Sequence, residues 1–177
     1  MRLKVIWFLT LLAVLGMMIM IFLFSREDAD RSSDKSSAVT EYIVETAERV
    51  IPALTSKESM ISRDSLETLV RKCAHFLEYA LLSFFLNLHF LAGQALWLRE
   101  GLAGGKVIKR SAAAILVSFL YALTDEFHQF FVPGRAARLA DVGIDSLGAL
   151  FGLLLFLTLS SQKGKMWMTY YRYRERI

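Results

Sequence analysis

A run of twenty uncharged and mostly apolar residues at positions 5–24 (VIWFLTLLAVLGMMIMIFLF) constrains this chain more than any other feature. At a rise of about 1.5 Å per residue, a helix of that length crosses about 30 Å, the thickness of a bilayer's hydrocarbon core. Arg2 and Lys4 precede the run as in a signal peptide, but the run is long for one and FLFSRED lacks an A-x-A-like cleavage site. We interpret residues 1–24 as an uncleaved transmembrane anchor.

The composition extends this interpretation to the rest of the chain. Hydrophobic residues occupy 55% of the 177 positions, and the mean hydropathy of +0.42 is well above that of an ordinary soluble protein. Three further apolar segments, at about 73–92, 111–131 and 139–160, predict helical spans, with a tight turn at Pro133-Gly134 before the last one. The sequence therefore predicts an all-α membrane protein with four transmembrane helices.

Residues 25–70 differ in character from the spans on either side. Their first part, 25–37 (SREDADRSSDKSS), is charged and rich in serine, which predicts a solvated linker. Beyond it Val39 and Ile43 belong to one apolar helical face, so the sequence predicts an amphipathic helix on the membrane surface or on the bundle, ended by Pro52. We expect this extracytoplasmic segment to form the fifth helical element.

The distribution of basic residues predicts how the spans are oriented. With the N-terminus inside, the cytoplasmic side holds eleven Lys and Arg against two acids, whereas residues 25–72 hold eight against ten. Because cytoplasmic connections are enriched in Lys and Arg, we predict a multi-pass protein of the cell membrane with both termini cytoplasmic. The basic tail at 162–177 directly follows a span, which favours a lipid-headgroup anchor, and we predict no nucleic-acid partner.

Three of the predicted spans carry polar stripes near their outer ends. A charge at the centre of a membrane helix costs about 2.5–3.5 kcal/mol on insertion scales, so such residues need a partner or a function. Side chains three or four positions apart share a helical face. The stripes are Lys72, His75, Glu78 and Tyr79; Tyr121, Asp125, His128 and Gln129, with Glu126 about 100° round the helix; and Asp141, Asp145, Gly148 and Gly152. We predict that they converge in a cavity open to the outside, and that the two glycines allow close helix contact.

This predicted cluster has an excess of acids. Five carboxylates, from Glu78, Asp125, Glu126, Asp141 and Asp145, accompany three bases, Lys72, Arg135 and Arg138. Such a cluster favours protonated carboxylates, a bound cation or a cationic group of a ligand. A purely structural role also stays open, in which the charges pair across helices and fix their register.

Metal and cofactor motifs are weak in this sequence. His75 and Glu78 have an i, i+3 spacing that is able to ligate a metal, but there is no HExxH motif and no clear histidine pair on a second helix. The single Cys73 offers no CxxC spacing. We predict no metal and no other cofactor.

Three ordered motifs resemble those of the VanZ-like family of membrane proteins. They are KCAHFLEY at 72–79, DEFHQFFVPGR at 125–135 and DVGIDSLG at 141–148, and the resemblance covers roughly residues 70–160. The residues at which this chain matches the family's motifs are Lys72, His75, Phe76, Tyr79, Asp125, Glu126, Gln129, Pro133, Gly134, Arg135, Asp141 and Gly148. Asp145 departs from a pattern that often has asparagine, and so adds an acid. The chain then divides into an anchor (1–24), an extracytoplasmic segment (25–70), a VanZ-like three-helix core (71–161) and a basic cytoplasmic tail (162–177).

The resemblance implies a multi-pass membrane protein, and the family's named member confers low-level resistance to teicoplanin, a lipoglycopeptide that acts on cell-wall precursors. We therefore expect an outward-facing site that binds an envelope ligand, either a lipid-linked cell-wall precursor or a lipoglycopeptide, and contributes to glycopeptide tolerance. This expectation is an analogy at the level of the family. The ligand-binding candidates are Lys72, His75, Glu78, Tyr79, Asp125, Glu126, Gln129, Arg135, Asp141 and Asp145.

Two other functions stay open. In a membrane-embedded enzyme acting on a lipid-linked substrate, His75 would serve as acid or base beside a carboxylate, but the lack of an obvious nucleophile argues against this. In a proton-coupled carrier, buried histidine and carboxylates would relay protons. Four spans without an inverted repeat disfavour the carrier.

Overall fold

A computed structural model of this chain describes residues 2–27, 29–50, 62–99 and 107–174. This part is all-helical, which confirms the predicted fold class. The five helices are α1 (Arg2–Ser25), α2 (Ala29–Val50), α3 (Arg63–Arg99), α4 (Val107–Gln129) and α5 (Leu139–Arg174). Side chains beyond residue 161 lie outside the described part, as does the predicted role of the basic tail at 162–177.

Three helices in the described part are long and apolar enough to cross a bilayer. The qualifying segments are Leu3–Ser25, Ser65–Leu96 and Leu139–Ser161, which contain the first, second and fourth predicted spans. The third predicted span lies on α4, which is helical but does not qualify by composition. Basic residues near one end of α4 (Lys109, Arg110) and acidic residues near the other (Asp125, Glu126) lower its hydropathy. A fourth crossing of the membrane therefore stays a prediction.

The surface of the helices is apolar, while several of the most deeply buried side chains are polar. Phe8 and Leu154 are exposed over more than half of their surface, whereas Ser83, Asn87 and Ser118 are fully buried. Asn87 donates a hydrogen bond to the Ser83 carbonyl at 2.9 Å, a bond within its own helix. This inverted distribution is what lipid requires, because polar groups in a bilayer must find their partners inside the protein.

The central helix is α3, which packs against all four of the other helices. Its closest neighbour is α5. A Cβ at Gly148 would overlap the carbonyl oxygen of Phe76, and one at Gly152 would overlap that of Ala80. The prediction that these two glycines allow close helix contact is confirmed, and this contact fixes which faces of α3 and α5 meet.

Helix α1 is part of the bundle and contacts both α3 and α4. Tyr121 of α4 donates a hydrogen bond to the Met18 carbonyl at 2.6 Å, and Thr10 lies 3.1 Å from the Nδ1 atom of His89 on α3. Ile21 is completely buried in the core that these helices share. The first apolar run is thus long enough to cross a membrane and also packs into the bundle.

Helix α2 begins at Ala29, so the prediction of a solvated linker at 25–37 is wrong for residues 29–37. The small hydroxyl side chains of Ser36 and Thr40 are buried where α2 approaches α3. Small side chains allow this approach, so a stretch too polar to form a core of its own becomes helical by packing on its neighbour.

The apolar face of α2 lies toward the bundle, since Val39 lines a cavity with Val70 of α3, while the charged Asp34 and Glu41 are exposed on the other side. Val39 and Ile43, on the predicted apolar face, remain exposed over about half of their surface. An amphipathic helix is thus confirmed, with its apolar residues beside α3 and charged residues on the side that faces outward. Pro52, predicted to end it, lies outside the described residues.

The connection between α4 and α5 contains the predicted tight turn. The Arg135 amide donates to the Val132 carbonyl at 3.1 Å, and Gly134 has a φ of 75°. Proline followed by a residue with positive φ is the arrangement of a type II turn, which glycine satisfies at no steric cost. The turn presents Arg135 toward the ends of α1 and α3.

Candidate functional site

A polar cavity of about 260 Å³ lies between α3, the start of α5 and the connection that follows α4. Seven of the ten predicted site residues line it: Lys72, His75, Glu126, Gln129, Arg135, Asp141 and Asp145. The structure therefore brings together residues from all three polar stripes. We call this space the polar cavity.

The other three predicted site residues lie around the polar cavity and do not line it. Glu78 lines a neighbouring cavity between α2 and α3, which it shares with His75 and Arg135. Asp125 lines a small cavity between α1 and α4. Tyr79 has no exposed surface and belongs to the core. The site thus has a partly exposed part around Lys72 and Asp141, which we call the open layer, and a more deeply buried part around His75, Asp125 and Asp145, which we call the buried layer.

Ion pairing in the open layer connects α3 with α5. The Nζ atom of Lys72 lies 3.3 Å from Oδ1 of Asp141, and about a third of each side chain is exposed. On α3 itself, Nδ1 of His75 lies 3.6 Å from Oε2 of Glu78. Both contacts join residues of the predicted stripes, and the Lys72–Asp141 pair balances part of the cluster's charge within the protein.

Buried polar groups at the end of α4 hold the connection to α5. Oε2 of Glu126 accepts a hydrogen bond from the Arg138 amide at 2.8 Å. Oδ2 of Asp125 accepts one from Nε2 of Gln129 at 3.1 Å, within a single turn of α4. Each bond satisfies a group that would otherwise be buried without a partner, and the first one fixes the wall of the polar cavity.

Arg135 interacts with groups that belong to α1, α3 and α4. Its guanidinium donates to the Phe24 carbonyl at 3.2 Å, which connects the turn to the end of α1. Burial lowers the pKa of Arg135 from its usual value, and the like charge of Arg71 lowers it further, while Asp125 and nearby glutamates oppose that change. An arginine retains its charge under such shifts, so two guanidinium groups lie near each other in a partly buried site.

Sequence reasoning missed two polar residues of the polar cavity, Thr68 and Arg71. Both follow the helical period, since Arg71 precedes His75 by four positions and Thr68 precedes Lys72 by four. Extending the α3 stripe one turn toward its N-terminus would have found them. With Arg71 included, four bases and not three surround the five acids.

The buried layer brings one histidine and two carboxylates together from three helices. His75 of α3, Asp125 of α4 and Asp145 of α5 each offer a donor atom, and these atoms lie within 4.8 Å of one another. Asp145 is 1% exposed, and its Oδ1 atom has no hydrogen-bond partner among the described residues. Donors of these types are able to share one cation.

These features define a helical membrane protein with a charged cavity built between its helices. A sequence model of the VanZ/LLP1 family matches residues 8–160, and the chain belongs to that family. The match extends into α1, beyond the region that the three motifs cover. No curated protein matches the chain. No solved structure matches it either.

Proposed function

We propose that this VanZ/LLP1 protein binds a phosphate-bearing envelope lipid, such as a lipid-linked cell-wall precursor, in the polar cavity and thereby contributes to teicoplanin tolerance. In this proposal four helices cross the membrane, both termini are cytoplasmic and the cavity opens to the outside. The observation that carries it is the set of four bases around one cavity, Arg71, Lys72, Arg135 and Arg138.

The packing of α4 supports a fourth crossing. Helix α4 contacts α1, α3 and α5, and these three partners are the helices of the described part that are long and apolar enough to cross a bilayer. The acids that lower its hydropathy, Asp125 and Glu126, are both buried inside the protein. Mean hydropathy underestimates the ability of a helix to cross a membrane when its charged residues face the bundle, because these residues do not contact lipid.

The charge of the polar cavity supports an anionic ligand. Of its four bases, only Lys72 forms an ion pair within the described part of the chain. Arg71 and Arg135 are close enough to repel each other, and the Nε atom of Arg71 is buried without a hydrogen-bond partner there. A phosphate or pyrophosphate accepts paired hydrogen bonds from guanidinium groups and would relieve this repulsion.

An aromatic patch beside the polar cavity supports a ligand that carries a lipid chain. Phe127, Phe130 and Phe131 are each exposed over about two thirds of their surface. Phe131 contacts both of the others through edge-on ring packing. An exposed aromatic cluster of this kind suits contact with the bilayer interface or with an acyl or prenyl chain.

The acids have a separate part in this proposal. Asp141 holds Lys72, and Glu126 holds the backbone at Arg138, so both position bases of the cavity. A precursor that also carries amino groups would find carboxylates on the same wall. The proposal therefore assigns phosphate recognition to the bases and orientation of the bases to the acids.

Teicoplanin tolerance tests this function in cells that carry the intact protein, Arg135→Ala or Arg26→Ala. Arg26 is an exposed arginine that lines none of the described cavities, so it controls for the loss of a positive charge. We expect tolerance with the intact protein and Arg26→Ala, and loss with Arg135→Ala at equal membrane abundance. Full tolerance with Arg135→Ala would refute the role of the cavity, and an equal loss of protein would favour a structural role.

A binding assay in vitro distinguishes between the two ligands that the family resemblance implies, a lipid-linked precursor and a lipoglycopeptide. The detergent-purified protein is mixed with vesicles that contain a polyprenyl pyrophosphate, or with teicoplanin itself. We expect binding to the pyrophosphate vesicles that weakens at least tenfold in Arg135→Ala. Binding to teicoplanin alone would assign the cavity to the drug and contradict the precursor.

A further inference from the structure

The buried layer below the polar cavity contains two carboxylates that belong to different helices. Asp125 and Asp145 are 4% and 1% exposed, and their oxygens lie within 4.8 Å of each other and of a ring nitrogen of His75. Two carboxylates at this separation and burial do not both remain ionised unless a positive charge lies between them. A bound cation or a shared proton therefore has to accompany the pair.

Within and beside this pair, one carboxylate oxygen and one hydroxyl group make no hydrogen bond among the described residues. Oδ1 of Asp145 and the hydroxyl of Tyr79 are both buried without a partner among the described residues. The Tyr79 side chain has no exposed surface and is close enough to interact electrostatically with Asp125 and Asp145. Buried polar atoms without a partner are unfavourable, and these two point to a group that the protein atoms do not provide.

We propose that His75, Asp125 and Asp145 bind one divalent transition-metal ion, such as Zn²⁺. Imidazole nitrogen with two carboxylate oxygens suits zinc or its first-row neighbours, whereas magnesium and calcium prefer oxygen alone. Donors around a tetrahedral zinc ion lie about 3.4 Å apart, so side-chain atoms that lie within 4.8 Å of one another have to close by up to about 1.4 Å.

The surroundings of the three ligands fit such a site. Glu78 lies 3.6 Å from Nδ1 of His75, so with the ion on Nε2 its carboxylate is placed to close on Nδ1 and orient the imidazole. Three protein ligands leave a position for water or for an oxygen of a bound molecule, and His75 and Asp145 also line the polar cavity. The ion would thus stabilise the bundle by joining α3, α4 and α5. This inference does not depend on which ligand the polar cavity binds.

Metal binding to the purified full-length protein tests the site. The protein is freed of its purification tag, stripped with a chelator and titrated with Zn²⁺ against a chromophoric competitor. The variants Asp145→Asn and His75→Gln each remove one ligand with little change of shape. The matched controls are Asp34→Asn, at an exposed aspartate of α2, and His89→Gln, at a histidine that lies beside Thr10 and Trp7.

We expect one Zn²⁺ per chain, with affinity reduced at least tenfold in Asp145→Asn and in His75→Gln and unchanged in both controls. Co²⁺ should give a visible absorption spectrum in the intact protein that the two ligand variants lose. The absence of stoichiometric binding to the intact protein overturns the site whatever the variants do, and assigns a shared proton to the carboxylates. Equal weakening in the controls also overturns it, since the ion would then bind elsewhere.

Discussion

The carbonyl oxygen of Phe76 on α3 occupies the space that a Cβ of residue 148 would need on α5, so the two backbones touch at Gly148. One turn further along, Gly152 meets the Ala80 carbonyl in the same way. These contacts set the distance between the helices that carry Lys72 and Asp141. The charged site above them depends on this close approach.

Replacing Gly148 with alanine should therefore destabilise the protein by about 1–3 kcal/mol, because the added methyl group forces α3 and α5 apart. Gly152→Ala should have a similar effect. The free energy of unfolding in detergent, measured from helix content against increasing SDS, provides the test. Gly143→Ala is the matched control on α5, since a Cβ there has no atom within 4 Å.

In Gly143→Ala the better helix propensity of alanine should raise stability by up to about 1 kcal/mol. If Gly148→Ala and Gly143→Ala unfold alike, the close contact between α3 and α5 is not present in the membrane protein.

The Lys72–Asp141 pair should contribute little to stability despite its place in the site. Each side chain is about one third exposed, and such pairs are worth about 0.2–1 kcal/mol. A double-mutant cycle with Lys72→Ala and Asp141→Ala in the same unfolding assay measures the coupling free energy. A coupling free energy above about 2 kcal/mol would show that the pair mainly stabilises the fold, and would weaken its assignment to ligand recognition.

Tyr121→Phe should lower the free energy of unfolding by about 0.5–1.5 kcal/mol, because it removes the hydrogen bond from the Tyr121 hydroxyl to the Met18 carbonyl. This bond joins α4 to α1. Tyr42→Phe, at a tyrosine 72% exposed on α2, is the matched control and should change nothing measurable. Equal effects of the two substitutions would place α1 outside the bundle.

Local patterns in the sequence were enough to predict the helices and the composition of the site. An uncharged run of about twenty residues forms a helix in lipid whatever surrounds it, so α1 was predictable within a few residues. The same local logic placed the turn at Gly134, where only glycine adopts the positive φ without strain. Helical periodicity put Lys72, His75 and Glu78 on one face of α3.

Where local and tertiary preferences disagreed, the sequence led to wrong or incomplete predictions. Residues 29–37 are too polar to form a helix by their own burial, yet Ser36 and Thr40 pack toward α3 and the segment is helical. Arg71 was missed because the predicted stripe on α3 began one residue too late, at Lys72. The first case depends on what lies opposite the helix, which a single segment does not encode, whereas Arg71 follows the local helical period.

The sequence by itself determined an all-helical chain with apolar spans and with charges gathered near one end of three helices, because hydropathy and the helical period are properties of each segment alone. Only the tertiary structure decided that His75, Asp125 and Asp145 meet, although 50 residues separate the first two and 20 the last two. Their meeting depends on the rotation and register of three helices. The backbone contacts at Gly148 and Gly152 help to set that register, and no local pattern specifies it.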